Sequence, residues 1–175
     1  QPPTMDPAPP LPPPPLQATI HIGASSISML VVSSENPADT PPETIEFMEQ
    51  PFPLARDIFR VGKVTRPTTE RAVKVLLGFL ETLSEFGIGP LELERVVATN
   101  ILAEASNSDV FQNRLSIACG LSVEILDDGE MTRLIYLKTR RRLLDTPSMR
   151  KRTTLVVHVG PGNTRALLFK KGRIE

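Results

Sequence analysis

The amino-acid sequence predicts an α/β fold in which helices flank a mixed β-sheet. Three apolar, β-prone segments follow one another near the start of the chain. Helical patterns then alternate with short apolar segments, and two further β-prone segments come last. A meander followed by alternating helices and strands places antiparallel and parallel strands in one sheet. The predicted order is therefore β-β-β-α-β-α-β-α-β-β.

The meander forms the N-terminal part of this order. Alternating apolar residues predict strands at 18–24, 27–33 and 44–50. The prolines within 35–43 predict a loop between the second and third strands, because proline cannot donate to a β-ladder. Residues 51–65 show neither the strand period nor the helix period, and we expect them to be irregular.

Two helical patterns follow the meander. The first begins at Pro67, a residue that suits the first turn of a helix, and ends before Gly87. The second is capped by Ser108 and Asp109 and stops at Gly120. The predicted apolar face of the first helix comprises Val73, Leu76, Leu77, Leu80 and Leu83.

The remaining elements complete the alternation. Short apolar segments at 95–99 and 122–126 predict buried strands beside the helices. A third helix is predicted at 130–143, after an Asp-Asp-Gly sequence. The last two strands are predicted at 153–159 and 164–170.

The composition excludes several classes of function. A formal net charge of zero gives no overall attraction to nucleic acid or to a membrane surface. The single cysteine rules out an intramolecular disulfide framework and suits a reducing compartment. The sequence contains neither an apolar run long enough for a membrane span nor a secretory signal. We therefore expect a cytoplasmic protein.

We divide the chain into three parts. Residues 1–17 are rich in proline and are predicted to be a disordered arm, although such a segment can also bind a proline-recognition module. Residues 18–150 are predicted to form one domain. The strands within 151–175 repeat the opening β-β pattern, so we interpret them as the first hairpin of a second, truncated domain.

Two strand–turn–strand units with glycine in the turn lie near opposite ends of the chain. The first contains Gly23 between two β-prone segments, and the second contains Gly160 and Gly162. Glycine allows the backbone to approach phosphate oxygens closely, and the N–H groups of a turn can point at an anion. The repetition predicts a pair of phosphate-binding loops. Their residues are His21, Gly23, Ser25, Ser26, His158, Gly160, Gly162, Asn163 and Thr164.

Four segments resemble motifs of the Ppx/GppA family, the exopolyphosphatases and guanosine pentaphosphate phosphohydrolases. HIGASSISML at 21–30 is similar to D-I-G-S-N-S-I-R-L-V, and ATNILAEASN at 98–107 to A-T-S-A-L-R-E-A-x-N. DDGEMTRLI at 127–135 is similar to S-G-x-E-E-A-R-L-I, and HVGPGNTR at 158–165 to D-I-G-G-G-S-T-E. The resemblance implies an actin-like (ribonuclease H-like) ATPase fold and a bacterial protein.

The same resemblance implies a reaction and its parts. Family members hydrolyse a terminal phosphoanhydride in a cleft between two domains, where two glycine turns hold the phosphate chain. Aspartates at the turns help to hold Mg²⁺, arginines neutralise phosphate, and a glutamate activates water. Such parts meet the negative charge that develops on the phosphoryl oxygens.

The sequence departs from the family where this chemistry is expected. His21 and His158 replace the two aspartates, and neutral imidazole is a poor ligand for Mg²⁺.

Met131 stands in place of the catalytic glutamate, and Arg165 replaces the glutamate that closes the second loop. Glu130 is adjacent to the catalytic position but about 100° away around a helix. Ser28 and Ala103 replace two phosphate-binding arginines, and Pro161 replaces a loop glycine.

We infer a degenerate family member in which residues that shape the turns are kept and charged residues are lost. It would bind a phosphate-containing ligand, such as polyphosphate or a guanosine nucleotide, or act as a regulatory or interaction module. The alternative is an active phosphohydrolase with relocated catalytic groups, and Mg²⁺ is expected only in that case. The 175-residue segment is expected to be inactive alone and to join the rest of a longer chain or a homo-oligomer.

Three groups of side chains have two interpretations. The two histidines either bind a transition metal or sense pH, or they fill vacated space. Glu104 and Glu130 are either surviving carboxylates near the cleft or ordinary solvated charges. The third group is a basic run that either attracts an anion or forms a solvated helix end, and we regard nucleic acid as an improbable partner because the run lacks interleaved aromatic residues. This run comprises Lys138, Arg140, Arg141, Arg142, Arg150, Lys151 and Arg152.

Overall fold

A computed structural model describes residues 15–33, 42–144, 146, 152–171 and 173–174. The described residues form two β-sheets and four α-helices. Most of the predicted proline-rich arm lies outside the described residues, as do Arg150 and Lys151 of the basic run. Within the described residues, none of the helices is both long and apolar enough to cross a bilayer.

The larger sheet is mixed, as predicted. Its strands are β1 (Leu16–Ile22), β2 (Ser26–Ser33), β3 (Glu43–Pro51), β4 (Arg95–Ala98) and β5 (Glu124–Ile125). They lie in the order β3-β2-β1-β4-β5. The first three strands pair antiparallel, whereas β4 runs parallel to β1 and β5 runs parallel to β4. Each of the five strands begins within two residues of its predicted start.

Four α-helices connect and flank the strands: α1 (Leu54–Val61), α2 (Arg66–Glu85), α3 (Ser108–Cys119) and α4 (Asp128–Leu144). Short 3₁₀ helices also occur at Pro90–Glu92 and Asn100–Glu104. The N-cap of α3 is Asn107, one residue before the predicted Ser108. Helices α2, α3 and α4 correspond to the three predicted helices.

The prediction of an irregular segment at 51–65 was wrong, because α1 lies within it. The helix has only two turns, too few for a 3.6-residue period to stand out in the sequence. It buries Leu54 and Ile58. The carboxylate of Asp57 accepts hydrogen bonds from the backbone N (2.9 Å) and Oγ1 (2.6 Å) of Thr65, the N-cap of α2. The packing of these side chains and the two hydrogen bonds hold α1 in place, although its sequence shows little helical periodicity.

The main apolar core lies between one face of the larger sheet and helices α2 and α3. Alternate residues of β1 and β2 point into it, including Ile20 and Met29. The predicted apolar face of α2 was partly wrong. Leu77 is 46% exposed, whereas Phe79 is buried. The buried residues of α2 therefore follow a helical stripe that includes an aromatic residue, and Leu77 lies beside that stripe.

The smaller sheet contains β6 (Thr153–Val159), β7 (Thr164–Lys170) and β8 (Arg173–Ile174), in that order. Strands β6 and β7 have the predicted bounds and form an antiparallel hairpin. Buried Leu167 and Phe169 pack against Ile135 and Tyr136 of α4. The rings of Phe169 and Tyr136 stack with centroids 5.9 Å apart. The hairpin is thus supported by α4, as a two-stranded ribbon requires.

Candidate functional site

A cleft of about 620 Å³ opens between the larger sheet, α4 and the β6–β7 hairpin. Both predicted glycine turns line it, together with one face of α4 and the end of β6. The cleft lies where β1, β4 and β6 end, so it gathers residues that are far apart in the sequence. Polar groups that converge on a concave site make it the default candidate for ligand binding.

The two turns share one backbone arrangement. In the first, the N–H of Gly23 donates to the carbonyl of Ser26 at 2.8 Å. In the second, the N–H of Gly160 donates to the carbonyl of Asn163, also at 2.8 Å. In both, the donor is the residue directly after a strand. These two N–H groups are committed within the turns, so any anion must use other donors.

Close packing explains why glycine is needed at two positions. A Cβ atom on Gly23 would lie 2.9 Å from the carbonyl oxygen of Ser26. A Cβ atom on Gly162 would lie 3.1 Å from Cβ of Ala24 and 3.3 Å from Cδ1 of Ile101. The second contact shows that the second turn packs directly onto the first. A side chain there would require Ala24 and Ile101 to shift by a few tenths of an ångström.

Two histidines occupy equivalent places beside the turns. His21 and His158 each lie two residues before the first glycine of a turn, and both line the cleft. His21 is an exposed residue that lines the open cleft, but the surrounding protein atoms partly desolvate its ring. This burial lowers the pKa of His21 below its usual 6.5. His21 is therefore mainly neutral at pH 7 and contributes little positive charge to the cleft.

Met131, rather than its neighbour Glu130, faces the cleft from α4. The carboxylate of Glu130 instead binds Arg133 (2.7 Å) and Arg95 (3.3 Å). These hydrogen bonds, first from Arg133 and then from Arg95, outweigh burial and lower the pKa of Glu130 from 4.5 to about 2. Because the folded-state pKa is depressed, the ion pairs stabilise the fold above pH 4.5 and lose that effect as the pH falls towards 2. Glu130 is thus occupied in structural ion pairs.

Arg165 also turns away from the cleft and joins the hairpin to the start of α4. Its guanidinium donates to the carboxylate of Asp128, to the backbone carbonyl of Asp128 (3.2 Å) and to Oγ1 of Thr132 (2.9 Å). Nδ2 of Asn100 donates to the same carboxylate at 2.7 Å. Nδ2 of Asn163 in turn donates to Oδ1 of Asn100 at 3.2 Å. This polar network connects the second turn, α4 and the residues after β4.

The structure brings together most of the sequence-predicted site residues. The residues that line the cleft are His21, Gly23, Ser25, Ser26, Met131, His158, Gly160, Gly162 and Asn163. Thr164 does not line it, because this residue begins β7 and pairs with Val159. Glu130 and Arg165 form the contacts described above, and Glu104 is likewise absent from the lining.

Sequence reasoning missed Glu49 and gave too little weight to Lys138 and Arg142. Glu49 lines the cleft from β3, and its carboxylate accepts a hydrogen bond from Oγ of Ser26 at 2.7 Å. No sequence signal indicated Glu49, because β3 reaches the first turn only through its pairing with β2. Lys138 and Arg142 lie on the same face of α4 as Met131. They follow Met131 by seven and eleven residues, about two and three helical turns, and this spacing could have predicted that the three side chains share one face.

The residues at the turns do not fit the magnesium ion that family resemblance implies. Mg²⁺ prefers oxygen ligands in octahedral geometry, whereas His21 and His158 present imidazole rings. Within the described part of the chain, no group of three or more His, Cys, Asp or Glu side chains is placed to hold a metal ion.

Comparison with known proteins gives consistent matches. The model of the Ppx/GppA phosphatase family matches residues 42–174. The guanosine-5′-triphosphate,3′-diphosphate pyrophosphatase of Aliivibrio fischeri strain MJ11 is 28% identical over 123 residues, which are 70% of this chain and 24% of the relative. The corresponding protein of strain ATCC 700601 / ES114 is 28% identical over 122 residues, 70% of this chain and 23% of the relative.

Solved structures show the same fold. The type II variant of the Aquifex aeolicus Ppx/GppA phosphatase has a TM-score of 0.68 and 23% identity, covering 91% of this chain and 50% of its own. An exopolyphosphatase from Cytophaga hutchinsonii has a TM-score of 0.74 and 19% identity, covering 91% and 48%. The predicted actin-like α/β fold is confirmed. This chain spans about a quarter of the curated relatives and half of the solved chains.

The family match covers most of the chain, both glycine turns border one cleft, and the fold is that of solved family members. The chain belongs to the Ppx/GppA phosphatase family.

Proposed function

We propose that this chain supplies a phosphate-ligand-binding cleft that no longer hydrolyses phosphoanhydrides by the family mechanism. It would act as a binding, regulatory or interaction module for polyphosphate or a guanosine nucleotide in the cytoplasm. The observation that carries the proposal is the chemistry of the lining. Thioether Met131 faces the cleft, and the turns carry His21 and His158 where the family resemblance implies oxygen ligands. A thioether cannot accept a proton at neutral pH.

The nearby acidic groups support this proposal because they have structural partners. Glu130 is paired with Arg95 and Arg133, and Asp128 is bonded to Arg165. The lowered pKa of Glu130 makes its carboxylate a weak base. Residues 18–150 would form the first domain of such a module and 151–175 the opening of a second. The separate β-sheets of the two parts favour this division, and the small apolar cluster of α4, β6 and β7 joins them.

An active phosphohydrolase remains a second candidate because of Glu49. Glu49 is the one acidic side chain among the described residues that line the cleft. Its hydrogen bond to Ser26 holds it beside the first turn. In an active enzyme, Glu49 would be the relocated base that orients the attacking water. Mg²⁺ would then have to be held mainly by the substrate phosphates, as is common for this ion.

Phosphate release from long-chain polyphosphate, measured with Mg²⁺ at high protein concentration, tests the proposal. The assay uses this chain and the longest natural protein that contains it. We expect no release above the protein-free rate. Release that is abolished by Glu49→Gln but kept in Glu46→Gln would establish the hydrolase instead. Glu46 is a suitable control because it lies on the same strand outside the cleft lining.

A further inference from the structure

The face of α4 that lines the cleft changes character along its length. Its lining residues recur at spacings of three and four, so they form one stripe along the helix. The first half of the stripe is apolar, and the second half carries two positive charges and a hydroxyl group. The stripe comprises Met131, Leu134, Ile135, Lys138, Thr139 and Arg142.

The positive charge of the cleft is concentrated on α4. Lys138 and Arg142 are exposed and lie one helical turn apart, so both can reach the same anion. The carboxylate of Glu49 lies at the first turn, where it bonds to Ser26. His21 is mainly neutral at pH 7 for the reason given above. An anion is therefore favoured near the C-terminal half of α4 and disfavoured beside Glu49.

The length of α4 sets the distance between the second turn and this charge. Asp128, at the start of α4, is bonded to Asn100 and Arg165 beside the second turn. Lys138 and Arg142 lie ten and fourteen residues further along the helix, which is roughly 15 and 21 Å at 1.5 Å per residue. A single orthophosphate is much shorter than these spans. A linear chain of several phosphates can extend across them.

We infer that Lys138 and Arg142 bind one end of an extended phosphate chain directly, without a divalent cation. This inference rests on the proposed function, since it concerns the same cleft. Lysine and arginine are effective partners of phosphate oxygens, because their hydrogen bonds are charge-assisted. They compensate for the cations that His21 and His158 cannot recruit. The ligand class is a linear polyphosphate several phosphates long.

Binding of long-chain polyphosphate to the full chain, measured by titration calorimetry with Mg²⁺ and with EDTA, tests this inference. We compare Lys138→Gln and Arg142→Gln with Arg140→Gln. Arg140 is a matched control because it is exposed on α4, carries the same charge and lies outside the lining, roughly 200° around the helix from Lys138. Circular dichroism checks that the three variants fold alike.

We expect long-chain polyphosphate to bind at least as tightly with EDTA as with Mg²⁺, and more tightly than orthophosphate. Lys138→Gln and Arg142→Gln should each weaken binding about tenfold, the usual effect of one charged hydrogen bond. Arg140→Gln should leave the affinity unchanged. Binding that requires Mg²⁺, or equal affinities of the three variants, overturns the inference but leaves a phosphate-binding cleft. Absence of binding in both buffers overturns the inference and the proposed function together.

Discussion

The cleft has two walls, which are held in place by different kinds of interaction. The first wall is the end of the larger sheet that carries the first turn, and the second wall is the β6–β7 hairpin that carries the second turn. Strand β1, which ends at the first turn, lies between β2 and β4 in the larger sheet and buries Ile20 and Ile22 completely. Strand β6, which ends at the second turn, lies at the edge of the smaller sheet, and Leu155 and Val157 remain exposed on it. The first wall therefore rests on a large apolar core, and the second has much less buried surface.

The second wall is stabilised by a small cluster and by polar bonds. The cluster contains Ile135 from α4 and Leu167 and Phe169 from β7. The hydrogen bonds of Arg165 to Asp128 and Thr132 also fix the orientation of the second turn relative to α4. The comparison indicates that the hairpin can open locally while the larger sheet stays folded, since local opening is easiest where few apolar contacts are lost. The predictions below test this difference.

The largest effect is expected from Leu76→Ala in the main core. Leu76 is fully buried on α2, so its truncation removes apolar contacts and leaves a cavity. We expect the free energy of unfolding to fall by about 2–5 kcal/mol, as is usual for such a change. Urea unfolding measures the loss. Leu77→Ala, at the next and half-exposed position, is the control and should cost far less. Equal losses would show that the core of α2 is assigned incorrectly.

Phe169→Ala should have a large but local effect. Phe169 is buried against Tyr136, and its removal takes away most of the aromatic contact between hairpin and α4. We expect amide hydrogens of β6 and β7 to exchange faster, as if the docking of the hairpin were weakened by about 3 kcal/mol. Protection of β1, β2 and β4 should not change. Leu168→Ala, on the opposite face of β7, should leave both regions protected. Loss of protection in both sheets would mean that the chain unfolds as one unit.

The contrast between the two walls also explains which parts of the fold could be predicted from sequence. The strands and α2 to α4 were predicted because their periods extend over enough residues to be recognised. The short helix α1 was missed because its formation depends on the burial of Leu54 and Ile58 and on the bond between Asp57 and Thr65. Local sequence carries little information about such tertiary contacts.

The same limit applies to the site. The two turns were predicted because each has glycine between two β-prone segments, and at Gly23 the steric demand is local, from the carbonyl of Ser26. Glu49 was missed and the contacts of Arg165 were not foreseen, because they depend on strand pairing and on the packing of the hairpin against α4. Residue types that shape a backbone are thus easier to assign from sequence than charged side chains, whose partners come from distant segments.

Arg165→Met should have a moderate effect on the second wall. The change removes the bonds to Asp128 and Thr132. Two observations limit its size: Asp128 is 77% exposed, and Nε of Arg165 is buried without a partner among the described residues. We expect the hairpin to lose about 1 kcal/mol, since exposed ion pairs contribute little and an unpaired buried donor opposes them. Amide exchange at the second turn measures the effect.

Arg173→Met is the matched control for this change. Arg173 lies on β8 of the same sheet and is exposed, so its replacement removes the same charge from the same region. We expect no change in exchange at Gly160 or Asn163. If Arg165→Met and Arg173→Met behave alike, the network contributes only net charge and does not fix the second turn.

The smallest effect is expected at the first wall, from the pH dependence of His21. Burial lowers the pKa of His21 in the folded state below the value of 6.5 that it has when unfolded. As the pH falls from 6.5 through the folded-state pKa, the unfolded chain binds more protons, so His21 makes folding less favourable; above 6.5 it has no such effect. His21→Gln should therefore become more stable relative to the original chain between pH 7 and pH 5. Urea unfolding at several pH values measures this gain, and an NMR titration of His21 with a midpoint above 6.5 would contradict it.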